Sequence, residues 1–504
     1  MNLVTLGDDR LKRMGDTRTV VFEGESFTAS QINAMGRRLA GGLKSLGIGR
    51  GDHVVVSLSN SPEVFACFAA IWRLGAVIVP IMFLLGEHES RYILDHSDAK
   101  AVITSADLIE KIQNAAAGID HIQHIIVLGG EARENQLDFH GLVENNPPLR
   151  ETAEMQEDDV ALMIYTSGTT GRPKGVMLSH NNLYQNALAS WEAAGATRGD
   201  MTLLCLPLAH SFGVVTMNSG SLSPFKESSA VLMRWFDPEE VFRLIEKYRV
   251  TQFIGVPTMY QLLINHPAGD TYDTSSLERC TISAAPVSAE LYRAFTTKFD
   301  CEMYEGYGLT EASPTVALCR RGMPIKQGST GLPIPGVEVK IFDASDRELP
   351  PGEQGEIVVK GPNVMLGYYK NPEETAAALR GGWLHTGDAG YLDEEGYLFI
   401  TDRFKDMIIK GGYNIYPSEI EGYLEQHPAV GEVAVIGVPD EKYGEDIMAF
   451  IVRTPGQDID AAGLIEFARS RMTPYKAPSR VQFVEGLPKS LVGKVLKKEL
   501  RKFV

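Results

Sequence analysis

Positive charge is in short supply in this chain. Its 504 residues carry 48 Lys and Arg against 65 Asp and Glu, a formal charge of −17, which repels polyphosphate backbones and anionic membranes at long range. Nucleic acid is thereby excluded as the main partner, and any anion must be held by a local site. Cysteine is sparse too: Cys67, Cys205, Cys280, Cys301 and Cys319 are scattered, without a CxxC pair or histidines at metal-ligand spacing. That excludes a disulfide framework and fits a reducing, cytoplasmic setting. Residues 1–18, MNLVTLGDDRLKRMGDTR, lack the apolar centre of a secretory signal and mix charges too evenly for a transit peptide. One run, Val64 to Leu85, is long enough to cross a bilayer and holds Arg73 as its single charge. Ser61 and Pro62 read as a cap and first turn, Gly75 as a stop and AVIVPI as a buried strand, so the run is helix then strand and no integral membrane segment is expected.

What the chain does have is alternation. At this length one core does not suffice, and two or more domains are expected. FTASQINAMGRRLAGGLKSLG sets Thr28 and Gln31 at capping-box spacing ahead of Ile32, Met35, Leu39, Leu43 and Leu46 on one helical face. HVVVSLS, AVITS, HIIVLGG, ALMIYTS, TLLCLPL, FIGVP and CTISAA read as strands, most of them buried on both faces. The pattern predicts an α/β fold of doubly wound, largely parallel sheets. From about Gly331 the strands GVEVKIFD, GEIVVKG and GYLFITD alternate with Gly, Pro and Asp turns, which predicts a small β-rich subdomain. A βαβ texture returns with EVAVIGVPD, DIMAFIVR, AAGLIEFARSRM and RVQFVE, and a domain boundary is expected near Arg403 to Lys405.

The densest chemistry lies in YTSGTTGRPKGV, Tyr165 to Val176. A strand running into a Ser/Thr/Gly-rich loop suits a phosphate: glycines let the backbone approach, hydroxyls and amides donate, and a lysine supplies charge. It is not a Walker loop, because Gly171 is followed by Arg172, Pro173 and Lys174. Nor is GYGLTE a dinucleotide fingerprint, since Glu311 stands where the third glycine belongs. Ser167, Thr169, Thr170 and Lys174 suggest a lid over a triphosphate.

The whole string resembles the phosphate-loop signature of the adenylate-forming superfamily, in its acyl- and aryl-CoA synthetase branch. The likeness continues in order through LPLAHSFG, YEGYGLTEAS, GEIVVKG, WLHTGDAG, DRFKDMIIKGGYNIYPSEIE and PKSLVGKV, from about residue 20 to the C-terminus. It implies a large N-terminal domain, residues 1–403, of two doubly wound α/β subdomains plus the β-rich one. A small mobile α+β C-terminal domain, residues 404–504, would follow and carry the catalytic lysine. The implied reaction joins a carboxylate to AMP with loss of pyrophosphate, then passes the acyl group to a thiol. Two anions meet in the first step, so catalysis should be positioning and cationic stabilisation, without a covalent protein nucleophile.

By the same resemblance Thr166, Ser167, Gly168, Thr169, Thr170 and Lys174 hold the β- and γ-phosphates. Tyr307 stacks on adenine, Thr310 contacts the α-phosphate and Glu311 holds magnesium, with Ala285, Pro286, Glu305, Gly306 and Gly308 completing the nucleotide pocket. Asp388 and Arg403 contact the ribose. Lys494 reaches the α-phosphate and the carboxylate. Lys405 is the hinge, and Lys410, Gly411 and Gly412 lie on the face that meets coenzyme A. His210 and Phe212 border the carboxylate entrance, His210 close enough to count among the catalytic groups. Ala284, Ala285, Gly308, Leu309 and Ala312 would line an apolar acyl pocket, Ala284 and Ala285 replacing the Gly-Gly common there. Trp383 and His385 are read as structural.

AHSFG offers no acid for a substrate ammonium, which disfavours amino acids. A mid-sized apolar acid is expected: aromatic, alicyclic or medium-chain, with a long-chain fatty acid as the alternative. ATP, Mg2+ and coenzyme A are the implied cofactors, with small molecules as partners and a homodimer left open. An acyl-CoA ligase comes first, an adenylation enzyme loading a carrier protein second and a luciferase-like oxygenase third.

Overall fold

The computed structural model describes every residue outside 131–134, 167–172, 286, 407, 411–412, 441 and 490–494, and every side chain outside those and 403, 405, 409, 413 and 414. The chain divides into two compact units, Met1–Val339 with Val359–His385, and Lys340–Val358 with Thr386–Val504.

The first unit holds two large sheets. One has eight strands in the order Gly367–Tyr368, Lys174–Ser179, Val160–Thr166, Val77–Pro80, His53–Ser57, Ala99–Ser105, His124–Leu128, Leu137–Asp138. Its pairs from Val160–Thr166 onward are parallel, whereas the three strands at the other edge pair antiparallel. The second sheet runs Leu332–Pro333, Thr315–Leu318, Glu302–Gly308, Arg279–Ile282, Gln252–Gly255, Met201–Leu204, Ser229–Leu232, Arg18–Phe22, Glu25–Thr28. It too is parallel at its centre and antiparallel at both ends. The parallel pairs fit the predicted β-branched runs, since strands covered on both faces can be apolar throughout. Their side of the second sheet packs Leu203, Phe253, Cys280 and Met303 against Val241, Phe242, Tyr260, Phe295 and Phe299.

Local signals act as the sequence suggests. Thr28 and Gln31 form the capping box of the helix Ala29–Ser45. The apolar run splits into the helix Pro62–Arg73 and the strand Val77–Pro80, with Gly75 at φ +72° ending the helix. Ser61 occupies the cap position, but its hydroxyl accepts no capping hydrogen bond. Among the described residues no helix is long and apolar enough to cross a membrane.

The charge inside that run has a partner the sequence did not suggest. Residues 4–14 form a helix, Val4–Met14, that carries Asp8 to Arg73. Arg73, 1% exposed, donates to both Asp8 oxygens at 2.9 and 3.1 Å and to Thr152 at 2.8 Å. Arg37 adds a contact of 3.1 Å and Asn33 a hydrogen bond. Burial alone would raise the Asp8 pKa, but the hydrogen bonds from Asn33 and Arg73 and the charges of Arg73 and Arg37 outweigh it and lower it.

In the second unit, which takes in most of a four-stranded sheet, the strands run Glu338–Phe342, Gly355–Lys360, Leu384–Leu392, Leu398–Arg403. The third of these has little strand signal, because HTGDAG holds two glycines and an aspartate with Thr386 as its single β-branched residue; cross-strand pairing from Asp388–Arg403 to Leu392–Leu398 overrides that weak propensity. A second sheet pairs Val430–Asp440 with Gly444–Arg453 antiparallel and adds Arg480–Phe483 in parallel after the helix Ala461–Arg471. Its core is Ile408, Ile420, Leu424, Val435, Ile447, Ile451 and Leu464.

Removing the Asp8 charge leaves the Arg73 guanidinium buried and unneutralised. Asp8→Asn should therefore lower the unfolding free energy at pH 7 by about 3 kcal/mol, read by urea titration. Because the folded pKa of Asp8 is depressed, its contribution is complete above the ordinary value of 3.8 and is lost as pH falls through the folded value. The gap between variant and wild type should close in strong acid.

Candidate active site

Functional candidates in the first unit gather at the carboxyl ends of parallel strands, the usual place for ligands in open α/β sheets. Met201–Leu204 leads to His210, Arg279–Ile282 leads to Ala284 and Ala285, and Glu302–Gly308 leads to Thr310 and Glu311. The neighbouring hairpin supplies Thr166 and Lys174, which face each other across its two strands.

Lys174 is held on two sides. Its ammonium lies 2.5 Å from Glu374 Oε2 and 5.0 Å from the centre of the Tyr368 ring. Tyr368 in turn donates its hydroxyl to Glu311 Oε1 at 3.0 Å. Burial, followed by the charge and hydrogen bond of Glu311, pushes the Tyr368 phenol well above its ordinary pKa, so it remains a donor. A carboxylate oriented by a phenol on one oxygen can offer the other to a cation, and one such carboxylate beside phosphate oxygens suits magnesium. The residues present thus fit the implied ion, which Glu311 would hold.

Thr310 is buried, and its hydroxyl lies 3.3 Å from that of Ser211, the first residue of the helix Ser211–Leu222. His210 caps this helix, its Nδ1 accepting the Phe212 amide at 3.2 Å. Burial lowers the His210 pKa, and a helix N-terminus also disfavours an imidazolium, so the ring is neutral at pH 7.

The turn after Glu311 is fixed by two asparagines. Asn186 donates to the carbonyls of Ala312 and Thr315 at 3.2 and 2.7 Å and accepts the Thr315 amide. Asn363 donates to the same two carbonyls at 3.0 and 3.2 Å, and its own carbonyl accepts the Ser313 hydroxyl. Beneath this turn Gly308 is obligatory, because a Cβ there would lie 2.2 Å from the Pro314 carbonyl oxygen. Ala312 is fully buried, while Phe212, Tyr307 and Leu309 are half-buried. Gly306 accepts the Ser283 hydroxyl at 2.7 Å. Ala284 adopts φ +76°, a left-handed conformation that glycine would reach without its Cβ clash. Glu305 is buried, and desolvation raises its pKa to about 7.

The second unit holds the remaining candidates. Asp388 is buried and is the cross-strand partner of Arg403. The Asp388 amide donates to Thr386 Oγ1, which donates to the Ile357 carbonyl, so a short network fixes this backbone. Lys405 sits in the short turn Phe404–Asp406. Lys410 pairs with Asp446 at 2.6 Å. Ser167, Gly168, Thr169, Thr170, Pro286, Gly411, Gly412 and Lys494 lie outside the described residues, as do the side chains of Arg403 and Lys405.

Comparison with known proteins matches residues 8–369 to the profile of the AMP-binding enzyme family and residues 419–494 to that of the AMP-binding enzyme C-terminal domain. The chain belongs to the AMP-binding enzyme family. A feruloyl-CoA synthase of Amycolatopsis sp is 39% identical, covering 98% of this chain and 97% of its own. A long-chain-fatty-acid–CoA ligase of Bacillus subtilis is 36% identical over 98% of this chain and 92% of its own. The crystal structure of ATP-bound MatB from Rhodopseudomonas palustris superposes with a TM-score of 0.91 at 32% identity, over 100% of this chain and 99% of that one.

In this AMP-binding enzyme the structure adds residues that no motif announced, Asn186 and Asn363 around the Glu311 turn and Tyr368 and Glu374 around Lys174, and gives Ser211, inside LPLAHSFG but assigned no role there, a place beside Thr310. Their sequence neighbourhoods look like ordinary helix, turn and cap residues. Only the fold brings them to the site.

Glu305 makes a testable contribution to stability. A carboxyl with a raised folded pKa stabilises fully below its ordinary value of 4.5, and that share is lost as pH rises through about 7. Glu305→Gln, neutral at all pH, should exceed wild type above pH 7 by roughly 3 kcal/mol in the ligand-free enzyme. Thermal melts across pH 4 to 8.5 would show the two curves meeting on the acid side.

Proposed function

We propose that this enzyme is an ATP-dependent carboxylate–CoA ligase: it forms an acyl-AMP with release of pyrophosphate, then transfers the acyl group to coenzyme A with release of AMP. The observation that carries this reading is the linked set Lys174, Tyr368 and Glu311, next to Thr310, at the carboxyl ends of the parallel strands. A lysine, a buried hydroxyl and an oriented carboxylate are what transfer at a phosphoryl centre requires. Family membership supports the same reading.

Each group then has a task. Thr166, Ser167, Gly168, Thr169, Thr170 and Lys174 hold the β- and γ-phosphates, and Thr310 donates to the α-phosphate. Glu311 would hold magnesium, which when bound would supply neutralisation of phosphate charge. Tyr307 stacks on the base, with Ala285, Pro286, Glu305, Gly306 and Gly308 around it, while Asp388 and Arg403 take the ribose hydroxyls, a carboxylate offering two acceptors to a diol. Lys494 stabilises the charge that gathers as the carboxylate attacks. With residues 1–403 and 404–504 as the two domains, Lys405 is the hinge that exchanges one face of the second for another, bringing Lys410, Gly411 and Gly412 to coenzyme A.

The acid proposed is apolar and mid-sized: aromatic, alicyclic or medium-chain. Phe212, Ala284, Ala285, Gly308, Leu309 and Ala312 are its wall, with neutral His210 at the carboxylate end. The relatives named for feruloyl and long-chain fatty acyl substrates bracket this choice, and the latter favours a long-chain acid as the second reading. The five free cysteines support a cytoplasmic setting.

Pyrophosphate release should be measured with ATP and magnesium, with and without coenzyme A, across benzoate, cyclohexanecarboxylate, hexanoate, octanoate, palmitate, acetate and several amino acids. CoA-dependent turnover on one apolar class is expected; adenylate formation that coenzyme A leaves unchanged would instead identify a carrier protein as acceptor. Lys494→Ala should lose about a hundredfold or more in adenylate formation while sparing thioester formation from supplied acyl-AMP. Equal loss in both half-reactions would remove Lys494 from its role.

A further inference from the structure

One charged group stands at the site without a task in the reaction above: Glu374. It lies beyond the residues matched by the family profile, which ends at residue 369, and in the sequence it reads as an acidic residue in the first turn of the short helix Pro372–Ala378. Its Oε2 nevertheless takes the ammonium of Lys174 at 2.5 Å.

The turn that carries it is rigidly built. Asn371 Oδ1 accepts the Glu374 amide at 3.2 Å, and the Thr375 hydroxyl donates to the Asn371 carbonyl while accepting the Tyr368 amide. Gly367, at φ +145°, allows the close approach, since a Cβ there would lie 2.6 Å from Thr375 Cγ2. Tyr368 pairs with Val176, two residues along the strand from Lys174, so the tyrosine and the lysine project from one face. Glu374 and Tyr368 are therefore presented together to the one lysine at the stem of the phosphate loop.

Exposure separates the partners. The Lys174 side chain is 10% exposed and that of Glu374 is 35% exposed. A buried ammonium needs an anion close by, whereas a carboxylate one-third exposed can turn into water at little cost. A phosphate oxygen offers the same lysine the same kind of charged acceptor with more charge behind it.

We propose that Glu374 is a placeholder for the triphosphate: it neutralises Lys174 until ATP arrives, then yields the lysine to phosphate oxygens, and this competition sets the affinity for ATP. The proposal rests on the ATP-using reading above. Glu374 acts through Lys174 and is a positioning residue. It also keeps the lysine from being left charged and unpaired after pyrophosphate has departed, so product release is eased by the same exchange. AMP, which lacks the β- and γ-phosphates, should not feel the competition.

The test is calorimetric titration with a non-hydrolysable ATP analogue plus magnesium, and separately with AMP. Glu374→Gln should bind the analogue about five- to tenfold tighter than wild type, the share of an ion pair of intermediate exposure, with AMP affinity changed by less than about twofold. Lys174→Gln should weaken the analogue, and adding Glu374→Gln to it should change nothing further. Should Glu374→Gln fail to fold with its lysine unpaired, Glu374→Asp, which keeps the charge on a shorter arm, should still gain about twofold. An analogue affinity unchanged or weakened in the folded Glu374 variants overturns the proposal, as does a gain that survives loss of Lys174. Failure of wild type to bind either nucleotide would instead overturn the ATP-using reading, and the placeholder with it.

Discussion

The antiparallel closure of Val160–Thr166 on Lys174–Ser179 is the constraint on which the candidate site rests. It turns the end of a buried parallel strand back along the sheet edge, so that Lys174 returns to a defined register opposite Thr166. The returning strand then receives Gly367–Tyr368 as its outer neighbour. Without that third strand neither Tyr368 nor Glu374 would reach Lys174, and Glu311 would lose the phenol that orients it. Glycine at position 175 is part of the same design, because a Cβ there would press on Met163 Sδ at 2.9 Å and on the Tyr165 ring at 3.1 Å.

Charge in this molecule is managed locally. A chain with a formal charge of −17 attracts an anionic substrate only where its own cations are concentrated and desolvated. Lys174 is such a cation, and the structure keeps it neutralised by Glu374. The same logic holds away from the site: Arg73 is kept in the apolar interior by Asp8, and Lys410 is paired with Asp446, whose pKa is lowered by hydrogen bonds from Lys410 and Ser479 that outweigh its burial. In each of these pairs the buried charge is tolerated because its partner is placed by a distant stretch of chain.

Much of the fold was legible because its signals are local. The capping box at Thr28 and Gln31, proline at the start of the helix Pro62–Arg73 and the β-branched parallel strands all act within a few residues. Other elements were not legible. Leu384–Leu392 contains HTGDAG and becomes a strand through its partner, and Val4–Met14 has Leu3 at its cap position, a residue with no side-chain cap to offer. At the site, motif residues such as Thr310 and Glu311 announce themselves by resemblance. Asn186, Asn363, Tyr368 and Glu374 do not, because their roles exist only across separations of many residues.

By itself the sequence determined the alternation of helix and strand and the family of the enzyme, since periodicity, caps and contiguous motifs are properties of neighbouring residues. Tertiary structure alone decided which side chains complete the site. Hydrogen bonds such as Tyr368 to Glu311 and ion pairs such as Lys174 to Glu374 act over about 3 Å, and no spacing along the chain specifies them. They follow from sheet order and strand register, which are set by burial of the whole core.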